Sequence, residues 1–377
     1  MATPSIPSTM RAIVQTGPSQ ATVETVPVPE IQYGSALVKL EASLMHSNVA
    51  HIFKADHPVF NAPFPYTPGA VGLGRIAALG PDATTLKEGQ LVLTSSFVRA
   101  RDDPSVGVVW GVTAGSTAES MHLYKALARQ GMFAEYVLAP LENLYALDEA
   151  RLFGAVAAGG LGYQLAEAIV LSADAIAYAA LRGIGLRAGE RIIVTPATGH
   201  YSTAVVDVAV ALGARVVAAS RSAAGLAKLK QTYPDAVETV QLSGDVEADG
   251  KALGAFGAVD AVADVSPPAA TGANNLEAAI SVLGDHGRIT LLGGRGEQTL
   301  PVPYYKALLS SWTIKGSHMY EREDLKRVIR LVETELLKLG KSAGHEIMGV
   351  YSLDQLPEAM DRAVEKAGPG CIVYIKP

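Results

Sequence analysis

A chain of 377 residues that is 49% hydrophobic and carries 37 glycines is too long for one compact core, and its composition suits a two-domain α/β enzyme better than a disordered or fibrous protein. A net charge of −6 with no basic block argues against a nucleic acid or an anionic membrane surface as partner. The single cysteine, Cys371, can close neither an internal disulfide nor a four-cysteine zinc site, so a reducing, cytoplasmic setting is expected.

The opening MATPSIPSTMRAIV has neither the basic stretch nor the apolar core of a signal peptide, and from Met10 it already reads as a first strand. Short β-like runs follow at 22–26, 36–42, 74–79 and 90–93, separated by Gly, Pro and Asp, which predicts a small barrel-like domain. Residues 99–129 read as a long polar, glycine-containing loop with one helical piece at 116–129; loops of that length usually cover a site or an interface. The apolar stretch 152–181 is broken by Gln164, Glu167 and Asp174, so buried helices are expected there rather than a membrane span.

From 191 to 222 the pattern becomes more specific. Arg191-Ile192-Ile193-Val194 is a β-branched run of the kind buried on both faces of a parallel sheet. Ala197-Thr198-Gly199 turns the chain, and Val205, Val206, Val208, Ala209 and Leu212 then recur at helical spacing up to Gly213. Val216, Val217 and Ala218 form the next strand. Such a strand, turn and helix suit phosphate binding, because small residues admit a pyrophosphate and the helix N-terminus faces its charge. Ala197, Thr198, Gly199, His200, Tyr201 and Ser202 stand where a G-x-G-x-x-G would, with two of its glycines replaced.

NAD-binding chains carry an acidic residue about 20 positions further on. Here that place holds Ser220-Arg221, a hydroxyl and a guanidinium that can donate to a 2′-phosphate, so NADPH is the expected cofactor; Lys228 is a candidate second contact. The alternation continues through a strand at 260–264, a helix at 275–283, a strand at 288–292, a charged amphipathic helix at 321–339 and a last strand at 370–375. Leu292-Gly293-Gly294 follow a strand at the carboxyl edge of the sheet, where open α/β folds bind ligands.

Met10-Arg11-Ala12, Pro68-Gly69 with Gly72, Lys87-Glu88-Gly89-Gln90, Phe133-Ala134-Glu135-Tyr136, Ala177-Tyr178 with Ala180-Leu181, the nucleotide turn and Leu291-Leu292-Gly293-Gly294 occur in this order along the chain. In this respect the chain resembles the medium-chain dehydrogenase/reductase superfamily. The resemblance implies a GroES-like β-barrel catalytic domain over 1–162, to which 321–377 returns, and a doubly wound Rossmann parallel-sheet domain over 163–320. It further implies a site in the cleft between them, a nicotinamide near Gly293-Gly294, and a homodimer built through Rossmann edge strands.

The same resemblance bears on zinc. Where zinc-dependent members carry a cysteine, this chain has Met45, and where they carry a His-Glu pair after Pro-Gly it has Ala70-Val71. A thioether and two alkyl groups cannot hold zinc, so no metal is expected and the chain is similar to the zinc-independent quinone oxidoreductases and enoyl reductases. Without a Lewis acid, hydride transfer from NADPH to an activated C=C or a quinone is easier than alcohol chemistry. The alternatives are carbonyl or imine reduction on the same scaffold and a non-redox protein that retains NADPH. Ser47 aligns with the family's proton-relay hydroxyl and His46 with a position beside the cofactor phosphates, while Tyr201 is a further candidate to reach substrate; Tyr66, Trp110 and Tyr136 are candidate walls of an apolar pocket. The 99–129 loop and the departures at 200–202 predict a specialised, bulky small-molecule substrate.

Overall fold

The computed structural model describes residues 6–55, 60–267, 270, 274–294, 299, 300 and 302–377. By packing it forms two compact units: Met1–Ser172 with Ile347–Ala367 and Ile372–Pro377, and Ala173–Glu346 with Gly368–Cys371. The boundaries read from the sequence, 162/163 and 320/321, differ from these. Residues 163–172 pack in the first unit, and the helix Arg322–Glu333 packs in the second, where Leu325, Val328 and Val332 are buried.

The first unit is built on an antiparallel sheet centred on Ser35–Met45, flanked by Gly72–Leu79 and Cys371–Ile375 and also paired with Tyr136–Pro140. Leu91–Thr94 and Leu144–Ala146 extend it, giving the GroES-like domain expected. The hairpin Thr9–Gly17 with Gln20–Pro27 is attached through the bridges Ala12 to Ala134 and Gln15 to Tyr66. Residues 99–129 carry the helical piece expected at 116–129, but the part before it is more ordered than a loop. Phe97–Arg99 pairs with Gly107–Val109, and a helix Ala118–Leu123 runs into a π-helical turn, Tyr124–Ala128. Trp110, Ala114, Leu123 and Tyr124 from this segment sit in the main core with Val38, Ile76 and Val92, so its apolar side chains anchor it.

The second unit is a six-stranded parallel sheet in the order Val237–Gln241, Arg215–Ser220, Arg191–Thr195, Val259–Asp264, Leu283–Leu291, Thr313–Gly316. This 3-2-1-4-5-6 order defines the Rossmann fold, with the order reversing beside Arg191–Thr195. The β-branched runs of the inner strands lie at zero or near-zero exposure, as for Ile193, Val217, Val262 and Ile289, because helices cover both faces. Among the described residues no helix is long and apolar enough to cross a membrane.

Candidate functional site

The first strand of the Rossmann unit ends at Thr195, and the turn that follows is held by Ala197 N donating to Ala219 O at 2.9 Å. Ala197 has no exposed surface, so only a small side chain fits there. Gly199 is the N-cap of the helix His200–Ala211, whose first internal bond runs from Thr203 N to Gly199 O at 2.8 Å. The positively polarised end of a twelve-residue helix therefore opens at Gly199, without a side-chain cap of its own.

Two side chains of the expected set are turned inward. Thr198 and Ser220 share a hydrogen bond at 2.7 Å between their hydroxyls, and Ser220 also accepts from Ser222 N at 3.3 Å. The Ser220 side chain, 4% exposed, thus braces the turn, whereas the neighbouring Arg221 is exposed and makes no side-chain hydrogen bond or ion pair among the described residues. Ser202 is also buried, inside the helix. Gly225 was not singled out by sequence, yet a Cβ there would lie 2.7 Å from Thr198 Cγ2; it lets the next helix, Ala223–Thr232, approach the turn.

His200 and Tyr201 open the helix with their rings edge to face, centroids 5.1 Å apart. Burial, with His345 nearby, pulls the His200 imidazole down to about 4, so it is neutral at physiological pH. Burial, and then Tyr320, pushes the Tyr201 phenol up to about 12. Tyr201 thus keeps its proton and can act as a hydrogen-bond donor. On the buried face of the same helix, Asp207 accepts from the Tyr233 hydroxyl at 2.8 Å and lies 3.4 Å from His345 Nε2. Asp174, 2% exposed, has its carboxyl held well above the usual range by burial and by Asp207.

At the other side of the sheet's switch point, Leu292 N and Gly293 N donate to Asp264 O, and Gly294 N donates to Ser266 O. A Cβ on Gly293 would meet the backbone O and N of Ser266 at 2.4 and 2.6 Å, so this glycine is required by close approach. Behind it Ser266 Oγ donates to Asp264 Oδ1, and Asn275 Nδ2 donates to both Ser266 Oγ and Thr195 Oγ1 at 3.1 Å. This buried network joins the ends of two strands and supports the glycine turn. Its members lie as far as 80 positions apart, which is why no local pattern announced it.

In the first unit, His46 and Ser47 are half-buried between the strand Ser35–Met45 and the short helix Val49–Lys54, and His46 Nδ1 accepts from Asn48 N at 3.2 Å. Leu44 N donates to Val71 O at 3.0 Å, so the segments bearing Met45 and Ala70-Val71 lie side by side. Met45, however, is 1% exposed and packs with Ile13, Val49, Phe133 and Val373 in an apolar cluster. Among the described residues no group of three or more His, Cys, Asp or Glu is disposed to hold a metal ion. His57 lies outside the described residues. Trp110 is not a pocket wall, because it is fully buried and donates its indole N–H to Gln130 O at 2.8 Å. Tyr66 packs in the same core, and it also lines a cavity of the first unit.

Residues 32–149 match the alcohol dehydrogenase GroES-like domain family and residues 202–334 the zinc-binding dehydrogenase family. An alcohol dehydrogenase of Rhizobium meliloti (strain 1021) is 30% identical over 346 residues, covering 89% of each chain. The chain belongs to the medium-chain dehydrogenase/reductase superfamily. The human quinone oxidoreductase is also related to this medium-chain oxidoreductase, at 25% identity over 62% of the chain and 56% of its own length. A short chain alcohol dehydrogenase from E. coli CFT073, solved with NADH, shares the fold with a TM-score of 0.77 at 17% identity, covering 98% of this chain and 100% of that one. The family is one of pyridine-nucleotide-dependent oxidoreductases, and the Gly199 helix end and the Gly293-Gly294 turn are the features of this chain that fit such a cofactor.

Proposed function

We propose that this medium-chain oxidoreductase uses NADPH, without zinc, to reduce an activated C=C bond or a quinone. The observation that carries the reading is the burial of Met45 in an apolar cluster beside Val71, at the positions where the zinc-dependent members hold their metal. Those residues do not fit zinc, and no step is assigned to it. Arg221 supports NADPH over NADH, since an exposed guanidinium without a side-chain partner among the described residues can pair with a 2′-phosphate.

The nicotinamide, when bound, supplies the hydride. In this reading the N-terminal end of His200–Ala211 binds the pyrophosphate, with Ala197, Thr198 and Gly199 admitting it closely, and Leu292, Gly293 and Gly294 line the nicotinamide end. Tyr201, protonated up to about pH 12, donates a hydrogen bond to the oxygen on which negative charge develops. His46 and Ser47 are the candidates for holding or relaying the proton that completes reduction.

A homodimer is supported by the sheet-edge strand Thr313–Gly316, whose four residues are all exposed, beside the exposed apolar Tyr304, Tyr305, Leu308 and Leu309. Sedimentation equilibrium measures it; a monomer at micromolar concentration removes this part.

The test of the activity is deuteride transfer from labelled NADPH to a panel of enones, quinones and aldehydes, with and without a strong chelator. Label on the carbon β to a carbonyl, unaffected by chelation, is the expected result. Label on a carbinol carbon, activity lost on chelation, or bound NADPH that is never oxidised would each overturn the proposal.

A further inference from the structure

We infer that the first unit carries a ligand site of its own, for a small amphipathic monoanion such as a medium-chain carboxylate. A cavity of about 670 Å³ opens in this unit, lined wholly by its own residues and within the size range of small-molecule pockets. Its walls are apolar where Met10 and Val14 of the strand Thr9–Gly17 face it, together with Val26, Leu127 and Leu138. Tyr66 adds an aromatic surface, and burial pushes its phenol up to about 12, so the hydroxyl stays a donor rather than an acid.

The charges on the wall favour an anion. Arg101 also lines the cavity, but it is neutralised by Glu142 through two hydrogen bonds of 2.6 and 3.1 Å. Arg129 gives only its Nε, to Pro65 O at 2.7 Å, and Lys125 has no hydrogen bond or ion pair among the described residues. Against these two cations stands Glu30, the single acid on the wall among the described residues. The cavity is thus left with one surplus positive charge on a chain whose net charge is −6, and one carboxylate balances it. A dinucleotide or a polyphosphate needs more cations than this, and a wholly apolar ligand leaves the surplus positive charge unbalanced.

The backbone supplies an independent observation. Lys125, Ala126 and Leu127 belong to the π-helical turn Tyr124–Ala128, an i→i+5 winding that is rare and frequently found at functional sites. The fully buried Tyr124 and Ala128 anchor this turn in the core, so the residues between them face the cavity from a rigid base.

Decanoate is the probe, titrated into the full-length protein labelled with ¹³C at the methionine methyl groups. The Met10 signal is assigned through Met10→Leu. The expected result is a saturable shift of the Met10 methyl, with affinity reduced about tenfold or more in the double variant Lys125→Gln with Arg129→Gln and for the methyl ester of decanoate on the parent protein. Both substituted side chains are exposed, so the variant is expected to fold; the ester comparison carries the test alone should it not. A Met10 signal that never moves up to the solubility limit, or equal binding of decanoate and its neutral ester, overturns the proposal. Neither readout involves the cofactor, so the result stands apart from the activity proposed above.

Discussion

Replacing Asn275 with leucine tests whether the buried network really supports the glycine turn. Asn275 is 8% exposed, and its amide nitrogen donates to Thr195 Oγ1 and Ser266 Oγ, both on residues with no exposed surface. Two hydrogen bonds of about 0.5–1.5 kcal/mol each are lost, about 1–3 kcal/mol in all. Against this, Asn275 Oδ1 is buried with no hydrogen-bond partner, and removing it returns about 1 kcal/mol. The net expectation is a loss of about 0–2 kcal/mol from the second unit, centred on about 1 kcal/mol. The chain has two tryptophans, and Trp312 lies in this unit, so its fluorescence during urea unfolding, in a Trp110→Phe background, reads the change locally. Because Asn275 acts through Ser266, whose carbonyl holds Gly294, the variant should also raise the KM for NADPH more than it lowers kcat. A variant within about 0.3 kcal/mol of the parent, with an unchanged KM, would refute the reasoning.

Gly293→Ala places a methyl against the backbone of Ser266, so a loss of about 1–3 kcal/mol and weaker NADPH binding are expected by urea melts and fluorescence titration. Arg221→Ala should weaken NADPH binding roughly tenfold or more and leave NADH binding unchanged. For His200, the folded value of about 4 lies below the ordinary 6.5, so the unfolded chain binds the extra proton between these limits. Stability therefore falls as pH drops from 6.5 towards 4, and His200→Gln should flatten that part of the Tm profile. Asp174 is the opposite case: its folded value is raised above 3.8, so the folded state holds the proton and stability falls as pH rises above 3.8. Asp174→Asn should make the protein relatively more stable at pH 8 than at pH 4, and an unchanged Tm slope would show that the carboxyl is not protonated in the fold.

Sequence patterning located most strands because strand and turn signals are local. The runs at 10–16, 22–26 and 74–79 became Thr9–Gly17, Gln20–Pro27 and Gly72–Leu79, and the turn before the helix His200–Ala211 fell where its small residues stood. Boundaries set by backbone geometry were less legible. The amphipathic helix expected to reach 339 ends at Glu333, where Glu335 takes a left-handed φ of 64° without a glycine to signal it. The helical piece at 116–129 was legible, whereas residues 99–115 misled because their polar composition concealed side chains such as Trp110 that fill the core.

By itself the sequence determined the two-domain α/β plan, the strand, turn and helix of 191–211 and the apolar side chains at 45, 70 and 71, since each depends on residue type at short spacing. Only the tertiary structure decided that Ser220 turns inward to Thr198 while Arg221 faces solvent, that Thr195, Asp264, Ser266 and Asn275 meet behind Gly293, and that Lys125 and Arg129 line a cavity with Met10. The reason is that a side chain's hydrogen-bond partner is fixed by strand order and helix packing, which bring together residues that no window of sequence holds at once.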